Sequence, residues 1–199
     1  ICHRLDVDVW EVIDTAKTKP FGFMPFYPGP GLGGHCIPID PLYLSWKLKT
    51  LDYNARFIEL ASTINANMPQ YAVERITDAL NSVEKSVRGS RILVLGAAYK
   101  KNVSDTRESP AIDIIGLLRK KGALVDYADP HVPRLDILDE TLEAYDPGAG
   151  VLGFDLVVIV TDHDTFDYPR ILTEASLVFA PRNAPARFTA PDTCRIFKL

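Results

Sequence analysis

Between Pro20 and Pro41 the chain can be neither regular helix nor central strand. Pro20, Pro25, Pro28, Pro30, Pro38 and Pro41 recur among Gly22, Gly29, Gly31, Gly33 and Gly34. Proline removes a backbone donor and glycine weakens any regular element. Phe21, Phe23, Phe26 and Tyr27 make the run too apolar for a disordered linker. An ordered loop of this length is expected, and such loops are usually functional.

Helical patterns flank it. Asp8-Val9-Trp10-Glu11 has the form of a capping box, followed by Val12, Ile13 and Ala16 at helical spacing. From about Leu42 to Val83 the pattern is helical again. Phe57, Leu60, Ala61 and Ile64 form one apolar face, and Tyr71, Val73, Ile76, Ala79 and Leu80 form another. Pro69 either kinks one long helix or opens a second.

The style changes near Arg88. Arg91 to Gly96 reads as a buried strand, and Ser109-Pro110 opens a helix with a cap and a proline at its first position. That helix ends at Arg119-Lys120-Lys121-Gly122, with Ala123–Pro130, Phe154–Val160 and Ser176–Phe179 as further strands. Strands alternating with helices imply a parallel sheet covered on its faces. The expected fold is therefore α/β: a helical unit at 1–87 carrying the Gly/Pro loop, then a Rossmann-like parallel-sheet domain at 88–199.

Composition narrows the partners. A net charge of −4 gives no reason to expect nucleic acid or an anionic membrane, and the longest apolar run, Leu156 to Val160, is far too short to span a bilayer. Cys2, Cys36 and Cys194 are few, odd in number and widely spaced, which favours a reducing, cytoplasmic setting over a disulfide framework. His3, His131 and His163 have no ligand spacing, so no metal is expected.

Cys36 stands apart because of its neighbours, Gly33-Gly34-His35-Cys36-Ile37-Pro38-Ile39-Asp40-Pro41. Glycines before a thiol let backbone approach a ligand and leave amides free for anionic oxygens. A carboxylate four residues on can hold water beside the sulfur. The residues alone leave open a tight structural loop around a buried thiol.

The stretch from Tyr27 to Leu44 resembles the active-site signature of the UDP-glucose/GDP-mannose dehydrogenase family. Its His-Cys-Ile-Pro form is similar to the branch acting on UDP-N-acetylhexosamines. A second stretch, Gly96-Ala97-Ala98-Tyr99-Lys100-Lys101-Asn102-Val103-Ser104-Asp105-Thr106-Arg107-Glu108-Ser109-Pro110, resembles the family's second signature in the right order. The resemblance implies two successive NAD-dependent oxidations of a UDP-sugar C6 alcohol to the acid. It makes Cys36 the nucleophile and Asp40 the carboxylate that assists water or proton transfer. Tyr27, Gly29, Gly31 and Gly33 match the substrate-cradling loop. Tyr99, Lys100 and Arg182 match positions that contact the sugar nucleotide, and Arg107 one that reaches the cofactor.

The family's Gly-rich dinucleotide fingerprint has no counterpart in these residues; Gly96-Ala97-Ala98-Tyr99 is not GxGxxG. With Ile1 already beside helix-like sequence, the resemblance implies a chain cut from a longer one, with most of the NAD site in a preceding domain. A homodimer through the helical segment from about Leu42 to Val83 is expected, because the apolar surface of so long a helix would otherwise face water. The alternative from another class is a non-catalytic nucleotide-sugar-binding or dimerisation module.

Overall fold

The structure is a computed structural model that describes residues 1–137 and 140–199. Its first regular helix, α1, spans Val9–Ala16 and is capped by Asp8, whose carboxylate accepts from the Trp10 N–H at 2.8 Å. After the Gly/Pro loop come α2 (Asp40–Lys49) and the long α3 (Arg56–Asn81). The expected helical stretch is thus broken, but at 50–55 rather than at Pro69. There Asp52 adopts the left-handed conformation, φ 56°, and the Tyr53 N–H turns back to the Leu48 carbonyl at 3.1 Å. Pro69 lies inside α3 and opens no new helix. Its ring nitrogen cannot donate to the Asn65 carbonyl one turn earlier.

The second unit is a five-stranded, wholly parallel sheet in the order β2-β1-β5-β6-β7. Its strands are β1 (Arg91–Leu95), β2 (Leu124–Ala128), β5 (Leu156–Ile159), β6 (Leu177–Phe179) and β7 (Arg195–Phe197). A separate antiparallel pair joins β3 (Arg134–Ile137) to β4 (Glu140–Glu143). Helix α4 (Pro110–Lys120) follows β1, and α5 (Tyr168–Glu174) follows β5. The Ser109 side chain caps α4 by accepting from the Ala111 N–H, as the Ser-Pro pair predicts.

Both faces of the sheet are covered, which explains why its strands read as continuous apolar runs. Ile92, Val94, Leu156 and Val158 point into one core with α4 and the second half of α3. Leu93, Leu95, Val157 and Ile159 point into the other, with α5. Of the two apolar faces read on α3, Val73, Ile76, Ala79 and Leu80 are buried against the sheet, whereas Phe57, Leu60 and Ile64 remain exposed.

The chain leaves β1 toward β2 on one side and meets β5 on the other. That reversal makes a crevice outside the carboxyl ends of β1 and β5, where ligands bind in open α/β sheets. The loops bordering it are 96–109 and 160–167. No helix among the described residues is long and apolar enough to cross a membrane.

Candidate active site

The Gly/Pro loop is fastened at both ends. Tyr27 stacks on Trp10 of α1 with ring centroids 5.6 Å apart, and its hydroxyl lies 3.2 Å from Lys17 Nζ and 3.4 Å from Asp14. In this arrangement Tyr27 anchors the loop to α1. Farther along, the Asn65 side chain of α3 clamps the Leu32 backbone. Its Oδ1 accepts from the Leu32 N–H at 2.7 Å and its Nδ2 donates to the Leu32 carbonyl at 3.3 Å.

The loop then crosses to the sheet domain. The Gly34 N–H donates to the Arg107 carbonyl at 2.9 Å. A Cβ on Gly33 would stand 2.5 Å from the Glu108 carbonyl oxygen and 2.7 Å from Tyr99 Cβ. Gly34 has φ +93°, and a Cβ there would stand 2.9 Å from the Tyr99 ring. Gly33 must be glycine because the Glu108 backbone and the root of Tyr99 occupy the space a side chain would need, and Gly34 because of its positive φ and the Tyr99 ring against it. The two stretches singled out in the sequence are therefore pressed against each other.

Cys36 follows this docking point directly. Its carbonyl accepts from the Ile39 N–H at 3.1 Å and the Asp40 N–H at 2.8 Å, so Cys36 and Asp40 sit on one turn leading into α2. Both residues are exposed. The alternative of a buried structural thiol does not hold.

From the sheet side, Arg182 reaches the loop after β5. Its Nε donates to the Val160 carbonyl at 3.0 Å, and its Nη2 lies a long 3.5 Å from the Gly31 carbonyl. A Cβ on Gly29 would touch the same guanidinium at 3.4 Å. Burial lowers the Arg182 pKa and Asp162 works against that, yet arginine keeps its charge in proteins. Arg107 is held by a fork of bonds to Asp105, with Nη2 2.6 Å from Oδ2 and Nε 3.0 Å from Oδ1. That guanidinium, with the Arg107 N–H, holds the Asp105 carboxyl down at about 2. The same bonds, donated to Asp105, raise the Arg107 pKa above its ordinary value. Lys100 is exposed.

Two cavities flank these residues. The larger, of about 610 Å³, lies between the loop, α2, α3 and the start of α4. Its wall is mostly apolar, with Leu42, Phe57 and Pro110 beside Glu108 and Asp113, and it has no cation to meet a phosphate. The smaller, of about 340 Å³, lies at the carboxyl edge of the sheet. It combines Lys101, Arg182 and Arg187 with Phe166, Tyr168 and Phe188, alongside the carboxylates Asp162, Asp164 and Asp167, of which Asp164 engages Lys101 at 2.5 Å. Cations beside aromatic faces suit a nucleotide better than the apolar cavity does.

Sequence reading missed Asn65, Thr161, Asp129 and the placement of His163, all of which hold these loops. The available signal was Asp129, a carboxylate directly after a buried strand; Asn65 offered none.

Comparison with known proteins gives the family. Residues 1–67 match the UDP-glucose/GDP-mannose dehydrogenase family, central domain, and residues 93–186 match the same family's UDP binding domain. A UDP-N-acetyl-D-mannosamine dehydrogenase of Methanococcus maripaludis is 39% identical over 166 residues, covering 83% of this chain and 36% of the relative. A UDP-N-acetyl-D-glucosamine 6-dehydrogenase of Pseudomonas aeruginosa is 32% identical over 168 residues, covering 83% of this chain and 39% of the relative. The solved UDP-D-ManNAc dehydrogenase of Pyrococcus horikoshii superposes with a TM-score of 0.81 at 29% identity, over 99% of this chain and 45% of that one. This chain thus spans less than half the length of these relatives. With both domain matches in order along it, the chain belongs to the UDP-glucose/GDP-mannose dehydrogenase family.

Proposed function

We propose that this chain carries the thiol and UDP-sugar half of an enzyme that oxidises the C6 alcohol of a UDP-N-acetylhexosamine to the uronic acid with NAD. The observation that carries the reading is the placement of exposed Cys36 and Asp40 on one turn, docked by Gly33 and Gly34 against Tyr99 at the sheet crevice. UDP lies along the crevice edge near Tyr99, Lys100 and Arg182. The loop from Tyr27 to Gly33 covers the sugar.

Cys36 and Asp40 supply sulfur and water chemistry. Once C6 is an aldehyde, the Cys36 thiol loses its proton and sulfur adds to the carbonyl carbon, whose oxygen gains a proton to give a thiohemiacetal. At the thioester level, Asp40 holds water and takes its proton as the water adds. The C–S bond then breaks, the thiol regains a proton, and the acid leaves. Both hydride removals belong to NAD by resemblance. Among the described residues, the turn after β1 offers no free dinucleotide cradle. The Ala97 and Ala98 N–H groups after β1 already donate to the Asp129 carboxylate, at 2.8 and 2.9 Å. No hydride step is assigned to this sheet.

The units 1–87 and 88–199 are proposed as the central and UDP-sugar domains, working in the cytoplasm. Exposed Phe57, Leu60 and Ile64 on α3, with Trp46 on α2, form an apolar face suited to a second copy of the chain. Multi-angle light scattering is expected to give a dimer at micromolar concentration. A clean monomer removes that part of the reading.

The reading is tested on the chain itself by titration calorimetry with UDP and by following NADH from UDP-N-acetylglucosamine and NAD. Binding of UDP without NADH production is expected. Appreciable turnover would mean that the cofactor site is built from these residues after all. UDP binding by a polypeptide of the relatives' full length that makes no uronic acid would favour a binding module.

A further inference from the structure

We propose that Asp129 and His163 are positioning residues: a buried pair that fixes the turn from Ala97 to Asn102, and through Tyr99 the approach of the Cys36 loop. The ligand half of this proposal rests on the UDP-sugar reading above. The side chains of both residues are 0% exposed. Asp129 Oδ2 accepts from the Ala97 N–H at 2.8 Å and the Ala98 N–H at 2.9 Å, and lies 3.0 Å from His163 Nε2. Its Oδ1 accepts from the His131 N–H at 2.8 Å.

On the other edge of the imidazole, Nδ1 lies 2.9 Å from the Asn102 nitrogen. A backbone N–H can only donate, so Nδ1 is bare and Nε2 carries the proton that goes to Asp129. The ring therefore bridges the two ends of one turn. It is itself fixed, because the Tyr168 hydroxyl donates to the His163 carbonyl at 3.1 Å and Phe166 stands edge-on at 5.6 Å. The Thr161 hydroxyl adds a bond to the Ala98 carbonyl at 2.7 Å.

Between these clamps lie Tyr99 and Lys100, the residues assigned to the sugar nucleotide. The Tyr99 N–H donates to the Asp105 carbonyl at 2.9 Å, and the Tyr99 ring closes on Gly34, two residues before Cys36. A path thus runs from His163 to Asn102 by a hydrogen bond, back along the chain to Tyr99, and across the Tyr99 ring to the nucleophile loop. Burying a carboxylate is costly unless donors surround it. Burial works to raise the Asp129 pKa, but the bonds from His163, Ala98 and His131 outweigh it and keep the group ionised. An apolar residue at either position would fill the core without this cost, but could not define where Ala97, Ala98 and Asn102 lie.

The test measures amide hydrogen exchange in the ligand-free chain together with UDP affinity by calorimetry, for the parent, His163→Ala and His163→Asn. In His163→Ala, exchange at Ala97–Asn102 and Gly34 should quicken by about tenfold or more while the amides in the second half of α3 keep their rates. UDP should bind about tenfold more weakly. His163→Asn, whose side-chain carbonyl can accept from the Asn102 N–H, should bring both quantities back to within about threefold. Unchanged exchange at those amides overturns the proposal, and so does a uniform rise that includes α3, the mark of a merely structural role. Local loosening with UDP affinity unchanged overturns it too. If the parent chain binds no UDP, the UDP-sugar reading falls, and the exchange pattern alone decides whether the pair positions the loop.

Discussion

In a polypeptide of the relatives' full length, Cys36→Ser should lower uronic-acid formation by on the order of a thousandfold or more, with little change in UDP-sugar affinity. An alcohol offers sulfur no electrophilic carbon, so the thiol acts only after the first hydride has left. Serine keeps the size and a hydrogen-bonding group, and Cys36 is exposed, so no cavity opens and the docking of Gly33 and Gly34 survives. What is lost is nucleophilicity at neutral pH. The aldehyde-level intermediate should then be released or held unreacted, which quenched-flow analysis of products separates from a simple failure to bind. Near-normal acid formation would remove Cys36 from the mechanism.

The second large effect is expected at a residue with no reactive group. Gly33→Ala places a methyl 2.5 Å from the Glu108 carbonyl oxygen and 2.7 Å from Tyr99 Cβ. One neighbour is backbone and the other is the root of a side chain, so neither can swing away. The loop must lift off the sheet domain, at about 2–3 kcal/mol, or roughly 30- to 140-fold in the docking equilibrium. In the full-length polypeptide this should appear as a similar loss of kcat/KM. In this chain it should appear as faster exchange of the Gly34 amide, whose bond to the Arg107 carbonyl is broken. Core amides such as those of Ile92 and Val94 should stay protected, because the clash lies outside the sheet. A change within twofold in both measurements would mean that the two stretches are not coupled as described.

Local chemistry made much of this legible beforehand. The strands β1, β5 and β6 announce themselves because both faces of the sheet are covered, and Ser109-Pro110 carries its cap within two residues. The density of proline and glycine from Pro20 to Pro41 rules out regular structure and marks the loop that holds Cys36. Other features depend on partners distant in the chain. Asn65 meets Leu32 across 33 residues and His163 meets Asp129 across 34, and neither separation leaves a local pattern. The break at 50–55 falls in Thr50-Leu51-Asp52-Tyr53-Asn54, without a glycine or proline to signal it. It rests on Asp52 entering the left-handed region, which Asp tolerates better than most residues. The pair β3–β4 and the strand β7 are short, and α5 is read from its Asp167 cap and Pro169 only in retrospect. Tyr27 meets Trp10 and Lys17 across 17 and 10 residues, contacts that likewise leave no local pattern.

On the proposed mechanism, sulfur of Cys36 becomes covalently bonded to C6 and Asp40 helps to release it. Asp40→Asn keeps the side chain's shape but withdraws the base, so thioester hydrolysis should slow while thioester formation proceeds. Intact-protein mass spectrometry of this variant of the full-length polypeptide, after mixing with UDP-N-acetylglucosamine and NAD, tests the claim directly. The account predicts a mass increase equal to one UDP-linked acyl group, mapped by peptide analysis to Cys36 and abolished by adding Cys36→Ser. Continued acid formation without any adduct on Cys36, or the same adduct after Cys36→Ser, would contradict it.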